Sequence, residues 1–426
     1  MRRRYFVLLI GSTSAILFLL TTVNQNGKNY DGESRSSISV SEKIEVYSSI
    51  DNLIDCSDKK LDFFIEQRGE FFIFYNYVVA KRQFRCHEAV TYTTQGDVTF
   101  LDNLIPLVER WNGPISVSIY SPGDDFKLVI DSVAYLRNCG KSSIKIKELV
   151  SFHLFFEAKF TTKVFNESLA NNTKIYKDEV NCSKNPPYST VKHKDLFKTK
   201  NNLLYPINLA RNSARTAAQT YFVLASDMEL YPTPNFSSKF IEMVSKNEQL
   251  VTGKQRQVFV LPIFEVTKDS SIPENKTVLK GMINTKQAFI FHEKLCRYCH
   301  IVPGYNEWIK DNGSSDLNVF TIAKRNKKYR FWEPFFVGTN KDPLFDERLT
   351  WEGQSNKMTQ NYIQCVLDYD YLILNNAFLV HRPGIKKAKE QLKQFIGQII
   401  KTNKFLKNEI KHELTLLYGN RTGCEL

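Results

Sequence analysis

What the chain lacks narrows it first. The 426 residues hold no recognisable nucleic-acid module, and although the formal net charge is +13, the Lys and Arg are scattered instead of forming a basic stripe. Nucleic acid is therefore not an expected partner, and the surplus charge favours anionic substrates or a membrane surface. Charge is missing altogether from Tyr5 to Val23, a nineteen-residue run about long enough to cross a bilayer. No small-x-small cleavage site follows it, which favours an uncleaved anchor over a removed signal peptide. Cysteine is missing before Cys56, so all eight cysteines lie downstream of that run. Cys296-Arg297-Tyr298-Cys299-His300 spells a haem-attachment pattern, but no distal ligand or dedicated pocket accompanies it. A second ligand pair at finger spacing is missing too, which argues against structural zinc. Disulfides, local or long-range, are the expected state of Cys296 and Cys299.

What is present fits a lumenal or extracellular enzyme-sized domain. Arg2, Arg3 and Arg4 precede the uncharged run and no basic residue follows until Lys28, which places the N-terminus in the cytosol. Seven Asn-x-Ser/Thr sequons (Asn166, Asn171, Asn181, Asn235, Asn275, Asn312, Asn420) all fall after it. The expected division is a cytosolic tail at 1–4, a transmembrane signal-anchor at 5–23, a polar stem at 24–68 and a catalytic domain at 69–426. With 42% hydrophobic and 13% aromatic residues, a large core is affordable.

From about Gly69 the pattern is α/β. Phe71 to Val79, Glu88 to Thr93, the alternating Ile115, Val117 and Ile119, and Leu149 to Phe156 have strand character. Helical spacing covers Val98 to Trp111, interrupted or kinked by Pro106, and Phe126 to Leu136. Strands alternating with helices of this length predict a parallel sheet with right-handed crossovers. Residues 160–200 form a polar surface insertion. An Ala-rich helix led by Tyr205-Pro206 then precedes the apolar run Tyr221 to Ala225 and the acidic string Ser226-Asp227-Met228-Glu229. On a strand, residues i and i+2 point the same way, so Asp227 and Glu229 are predicted to aim at one point at the carboxyl end of a buried strand. Two hard oxygen donors there suit a divalent cation that carries phosphates. His381 follows a second apolar run directly, so its imidazole either emerges at a strand end as a third ligand or is an ordinary surface or packed histidine.

Several ordered motifs together resemble glycosyltransferase family 49: Leu107 to Val117, Tyr205-Pro206-x-Asn208-Leu209-x-Arg211-Asn212, Ser226 to Pro232, Cys296-x-x-Cys299, Trp332-Glu333-Pro334-Phe335, Phe345-Asp346-Glu347-Arg348 and Phe378 to His381. The resemblance implies an α/β fold of GT-A type, Rossmann-like, with a mostly parallel sheet flanked by helices. It further implies a single-pass type II Golgi membrane protein, a UDP-sugar donor, most simply UDP-glucuronic acid, a glycan or glycoprotein acceptor, Mn²⁺ as cofactor, and inversion at the transferred carbon. The family's metal acids fall on Asp227 and Glu229, and its strand-end histidine on His381. Glu333 and Asp346 are the candidates for the general base or for acceptor binding, and Arg211 for a donor contact. A second copy of the chain is a possible homodimer partner.

Two departures from the family pattern stand out. Glu229 replaces an aspartate, and the segment Trp351-Glu352-Gly353-Gln354-Ser355-Asn356-Lys357 is one residue longer, which bears on donor or acceptor choice. Residues 386–417 read as a basic helical tail docking Leu392, Phe395, Ile396, Ile399, Ile400, Leu406, Ile410, Leu414 and Leu417 on the domain. The alternative to an active transferase is a silent family member that binds glycan or partner enzymes.

Overall fold

The computed structural model describes residues 50–161, 176, 179–312, 315–351, 353, 355–385 and 395–426. The expected anchor at 5–23 lies outside them, as do Asn166 and Asn171. Among the described residues no helix is long and apolar enough to cross a membrane. Asn181, Asn235, Asn275, Asn312 and Asn420 are all exposed.

The strands are β1 (Phe64–Arg68), β2 (Phe71–Val78), β3 (Val90–Gly96), β4 (Ile115–Tyr120), β5 (Val150–Glu157), β6 (Phe222–Ala225), β7 (Leu230–Pro232), β8 (Gln257–Leu261), β9 (Ile263–Val266), β10 (Ala288–Ile290), β11 (Asn318–Ala323), β12 (Phe335–Thr339), β13 (Asp370–Asn375) and β14 (Leu379–His381). Ten of them form one sheet in the order β1-β2-β5-β4-β3-β6-β12-β8-β13-β11, and the other four a small sheet in the order β10-β9-β14-β7. β5, β4, β3 and β6 run parallel, because a helical crossover separates each from the next in sequence. The expectation of a mostly parallel sheet needs correction. β12 enters antiparallel between β6 and β8, β1, β2 and β11 also pair antiparallel, and the sheet is mixed.

Local chemistry explains several boundaries. Val98–Asn103 winds as a 3-10 helix, with Asp97 accepting from the Thr99 N–H, and the α-helix proper starts at Leu104. Pro106 thus falls in the first α-helical turn, where its missing N–H has no partner to lose, and it does not break the helix. In the turn after β4, Gly123 has φ +51°, and a Cβ there would lie 2.5 Å from the Phe197 ring, so only glycine fits. The apolar run Val258 to Phe264 is two strands, since Pro262 cannot donate to a ladder and the chain changes sheets there.

The expected stem needs shortening. Residues 50–68 are folded, because Cys56 is bonded to Cys86 and β1 pairs with β2 along its whole length. The insertion is tied down by Cys139–Cys182. At the C-terminus, Leu406, Ile410 and Leu414 dock on Leu349, Tyr362 and Ile363, and Cys365–Cys424 clips the tail in place. Of the rest of the expected stripe, Leu392 lies outside the described residues, the Phe395 ring packs 5.5 Å from that of Trp351, and Ile396, Ile400 and Leu417 are exposed.

The chain passes from the large sheet to the small one at β6 to β7, β8 to β9 and β13 to β14. Beneath them a buried polar thread holds the parallel strands to the Ile207–Ala217 helix. The Asn76 N–H donates to His153 Nδ1 at 2.8 Å, so Nε2 carries the proton and donates to Ser116 Oγ at 2.9 Å. That hydroxyl in turn donates to the Ala214 carbonyl at 2.7 Å. Burial keeps the His153 ring neutral and pushes its pKa from 6.5 to about 3. Unfolding frees the ring to take up a proton, so this group's contribution is complete above pH 6.5 and is lost as pH falls toward 3. His153→Gln is expected to lower the Tm at neutral pH but to show a shallower acid limb than wild type between pH 6.5 and 4. Parallel acid limbs in the two proteins would contradict this assignment.

Candidate active site

The site is built on the crossing from β6 to β7. β6 ends at Ala225 and β7 begins at Leu230, so Asp227 and Glu229 occupy a turn and not a strand. The Leu230 N–H donates to the Asp227 carbonyl at 3.0 Å, and the buried Tyr92 hydroxyl reaches the same carbonyl at 2.9 Å. The alternation rule therefore does not apply, and the two carboxylates face different partners. Asp227 Oδ1 accepts from Gln95 Nε2 at 3.1 Å and lies 3.5 Å from Arg211 Nη2. Glu229 Oε1 lies 3.1 Å from His381 Nε2.

Ladder register produces the second contact. β14 runs antiparallel to β7 with His381 opposite Leu230, and the Arg382 N–H donates to the Glu229 carbonyl at 2.8 Å. His381 Nδ1 is 2.8 Å from the Arg382 carbonyl, which can only accept, so Nδ1 bears a proton. The buried Nε2 faces the Glu229 carboxylate at 3.1 Å and has no other partner among the described residues. Leaving a buried acceptor unsatisfied costs about 1–3 kcal/mol, so the pair calls for a second proton or a cation between its members. A histidine whose other nitrogen is fixed by a backbone carbonyl is also the usual form of a metal ligand. The donor set thus fits a divalent cation through Glu229 and His381, with Asp227 alongside. Among the described residues, no three His, Cys, Asp or Glu side chains are already gathered around one point. Asp227 is held toward Gln95 and Arg211.

Arg211 organises the neighbourhood. The Ile207–Ala217 helix is buried almost throughout, and its amides and guanidinium are spent on chain segments far away in sequence. Asn208 Nδ2 donates to the carbonyls of Asp346 and Asn356, both at 2.8 Å. Asn212 Nδ2 donates to the Phe345 carbonyl and to Glu347 Oε1, also at 2.8 Å. Arg211 Nη1 donates to Asn356 Oδ1 at 2.7 Å and Asn208 Oδ1 at 3.1 Å. Arg211, expected to contact the donor directly, is thus already engaged within the protein and orients Asp227.

The two candidate bases differ sharply. Asp346 is occupied: Oδ1 accepts from the Arg348 N–H and Nε at 3.0 Å, and Oδ2 from Nη2 at 2.7 Å. Glu333 is half-buried, its N–H donates to the Cys299 carbonyl at 2.8 Å, and its carboxylate has no hydrogen bond or ion pair among the described residues. The Cys296–Cys299 disulfide closes the loop that supplies that carbonyl.

Three further residues join the site, of which His300 and Lys357 lie in segments already marked in the sequence and Glu265 in none. Glu265 faces His381 across the β9–β14 ladder, and burial pushes its carboxyl up while the nearby imidazole opposes the shift. His300 is buried with Nδ1 unpartnered, and desolvation holds its pKa well below the usual range. Lys357 has its ammonium 3.7 Å from the centre of the Phe335 ring. Burial lowers its pKa to about 8, against the pull of Asp227 and Glu333.

The profile of the family described as glycosyl-transferase for dystroglycan matches residues 89–419. The chain belongs to that family. This agrees with the resemblance to glycosyltransferase family 49, and the chain is an enzyme of the glycosyltransferase class. The β-1,4-glucuronyltransferase 1 of Danio rerio is 28% identical over 309 residues, 70% of this chain and 67% of that protein. The Homo sapiens protein of the same name is 26% identical over 337 residues, 78% of this chain and 76% of its own length. Xylosyl- and glucuronyltransferase LARGE1 of Danio rerio is 24% identical over 229 residues, 52% of this chain and 28% of that protein. Among solved structures, S. aureus TarS has a TM-score of 0.33 and 10% identity over 75% of this chain and 40% of that one, a likeness that carries no argument.

If a cation joins Glu229 to His381, Mn²⁺ with UDP is expected to raise the Tm of the wild-type protein. Glu229→Ala and His381→Ala are each expected to lose most of that rise while keeping their metal-free Tm within a few degrees of wild type. A full Mn²⁺-dependent rise in both variants would move the metal elsewhere.

Proposed function

We propose that the protein is an inverting glucuronyltransferase of GT-A type, transferring glucuronic acid from UDP-glucuronic acid to a glycan acceptor with Mn²⁺ as cofactor. The observation that carries this reading is the Glu229–His381 pair at 3.1 Å, beside Asp227, in a chain of a glycosyltransferase family. Asp227, Glu229 and His381 would hold the ion, and Glu229 keeps the charge and oxygen donors of the aspartate it replaces. When bound, Mn²⁺ supplies Lewis-acid stabilisation of the charge on the departing UDP.

The chain's own residues do the remainder. Glu333 takes the proton of the acceptor hydroxyl as its oxygen attacks the anomeric carbon, while the bond from that carbon to the diphosphate oxygen breaks and UDP leaves with the electron pair. Attack from the face opposite the leaving group inverts the carbon. Gln95 and Arg211 keep Asp227 oriented, so little reorganisation is needed when the donor arrives. Asp346 holds the 345–348 turn through Arg348 and is a positioning residue. Glu333→Gln is expected to lower transfer by about 10²–10⁴-fold with little change in Tm. Asp346→Asn is expected to lower Tm and to retain turnover in the folded fraction. The reverse pattern would exchange the two roles, and a wild-type protein that turns over no UDP-sugar would leave the binding-only reading.

Placement in the Golgi membrane with the catalytic domain lumenal belongs to the same proposal. It is supported by the arginines before the uncharged run, by five exposed sequon asparagines and by four disulfides. Glycosidase treatment is expected to speed migration of the full-length protein on gels, and carbonate washing to leave it in the membrane pellet. A soluble form with a new N-terminus near residue 24 would replace the anchor with a cleaved signal.

A further inference from the structure

Next to Asp227 a cleft open to solvent lies between β6, β12 and the Met358–Val366 helix. Val223, Ala225, Phe335 and Phe345 make its walls mainly apolar, and Arg211, Arg215 and Lys357 bring cationic groups to it. Both arginines are committed. Arg211 is spent on Asn208, Asn356 and Asp227, and Arg215 donates to the carbonyls of Pro343, Thr339 and Asp342 at 3.0–3.1 Å.

Lys357 is not committed. Its ammonium rests on the face of Phe335, and among the described residues it has no hydrogen bond and no ion pair. Asp227 and Glu333 lie within electrostatic reach without pairing with it. Its backbone is fixed, because Asn356 is bonded to Arg211 and to the Gly353 carbonyl, and the Lys357 carbonyl accepts from the Asn361 N–H at 3.2 Å. The ammonium is therefore presented to the cleft by a rigid support, half-buried and short of an anion. A cation over an aromatic face keeps its charge but exchanges only part of its hydration for the ring.

We propose that Lys357 is a donor-specificity residue whose ammonium pairs with the C6 carboxylate of the uronic acid being transferred. The proposal rests on the glucuronyltransferase reading above and sharpens it. A diphosphate carries several charged oxygens and calls for several donors, whereas the cleft offers one uncommitted cation between apolar walls. One cation beside aromatic and aliphatic surface matches one carboxylate on a sugar ring. The same position lies in the segment Trp351 to Lys357 that departs in length from the family pattern, which makes it a natural place for donor choice to be set.

The test is the Kd of UDP-glucuronic acid, UDP-glucose and UDP for the full-length protein with Mn²⁺, measured for wild type, Lys357→Met, Lys357→Gln and Lys357→Arg. Wild type is expected to prefer UDP-glucuronic acid over UDP-glucose. Lys357→Met and Lys357→Gln are expected to reduce that preference by about tenfold or more, while the Kd of UDP moves by less than about twofold. Lys357→Arg is expected to restore part of the preference. Equal weakening of all three ligands would assign Lys357 to the diphosphate and overturn the proposal, as would an unchanged preference in two folded variants. A wild-type protein that binds UDP but has no preference for the uronic acid also overturns it and leaves the metal site standing. A wild type that binds no UDP-sugar defeats the transferase reading itself.

Discussion

The ladder between β14 and β7 is only three residues long on each side, yet the site depends on it. It sets His381 opposite Leu230 and so brings an imidazole to a carboxylate 152 positions earlier in the chain. The contact is made where the large sheet hands the chain to the small one. Asp227 and Glu229 belong to one such crossing, and His381 lies at the far end of the strand that follows another. Because register in a strand allows only two faces, a slip of one residue in β14 would turn the imidazole away from Glu229 altogether.

A second constraint holds the other half of the cleft. Asn208, Arg211 and Asn212 reach from one buried helix to the backbone and side chains of residues 345–356. Buried amides left unsatisfied are costly, so Phe345, Asp346, Glu347 and Asn356 are held as firmly as if they belonged to the sheet. Two motifs more than a hundred residues apart thereby act as one unit. Asp227 and Lys357 inherit their positions from it, the first through Arg211 and the second through Asn356.

Much of the scaffold could be read from the sequence, because β4 and the Asp125–Asn138 helix carry two-residue or helical spacing and β2 and β5 are runs rich in apolar residues. The mixed pairing could not, since nothing local distinguishes β12, antiparallel, from β8 beside it. The site was legible as motifs and illegible as geometry. Asp227 and Glu229 were read as strand residues aimed at one point, whereas Ala225 is the last strand residue and a turn carries the acids. Asp346 looked equivalent to Glu333 in sequence, and only the Arg348 fork separates them. Gln95 and Glu265 owe their place to register and crossing geometry, which leave no trace in residue spacing.

Mn²⁺ is paramagnetic, so its ligands can be identified without a turnover assay. Pulsed electron paramagnetic resonance of the full-length protein with Mn²⁺ and UDP reads directly whether the seam between the sheets is the metal site. Expected is modulation from one imidazole nitrogen, present in wild type and absent in His381→Ala. A bound Mn²⁺ with no nitrogen modulation, or with the same modulation in both proteins, would contradict it.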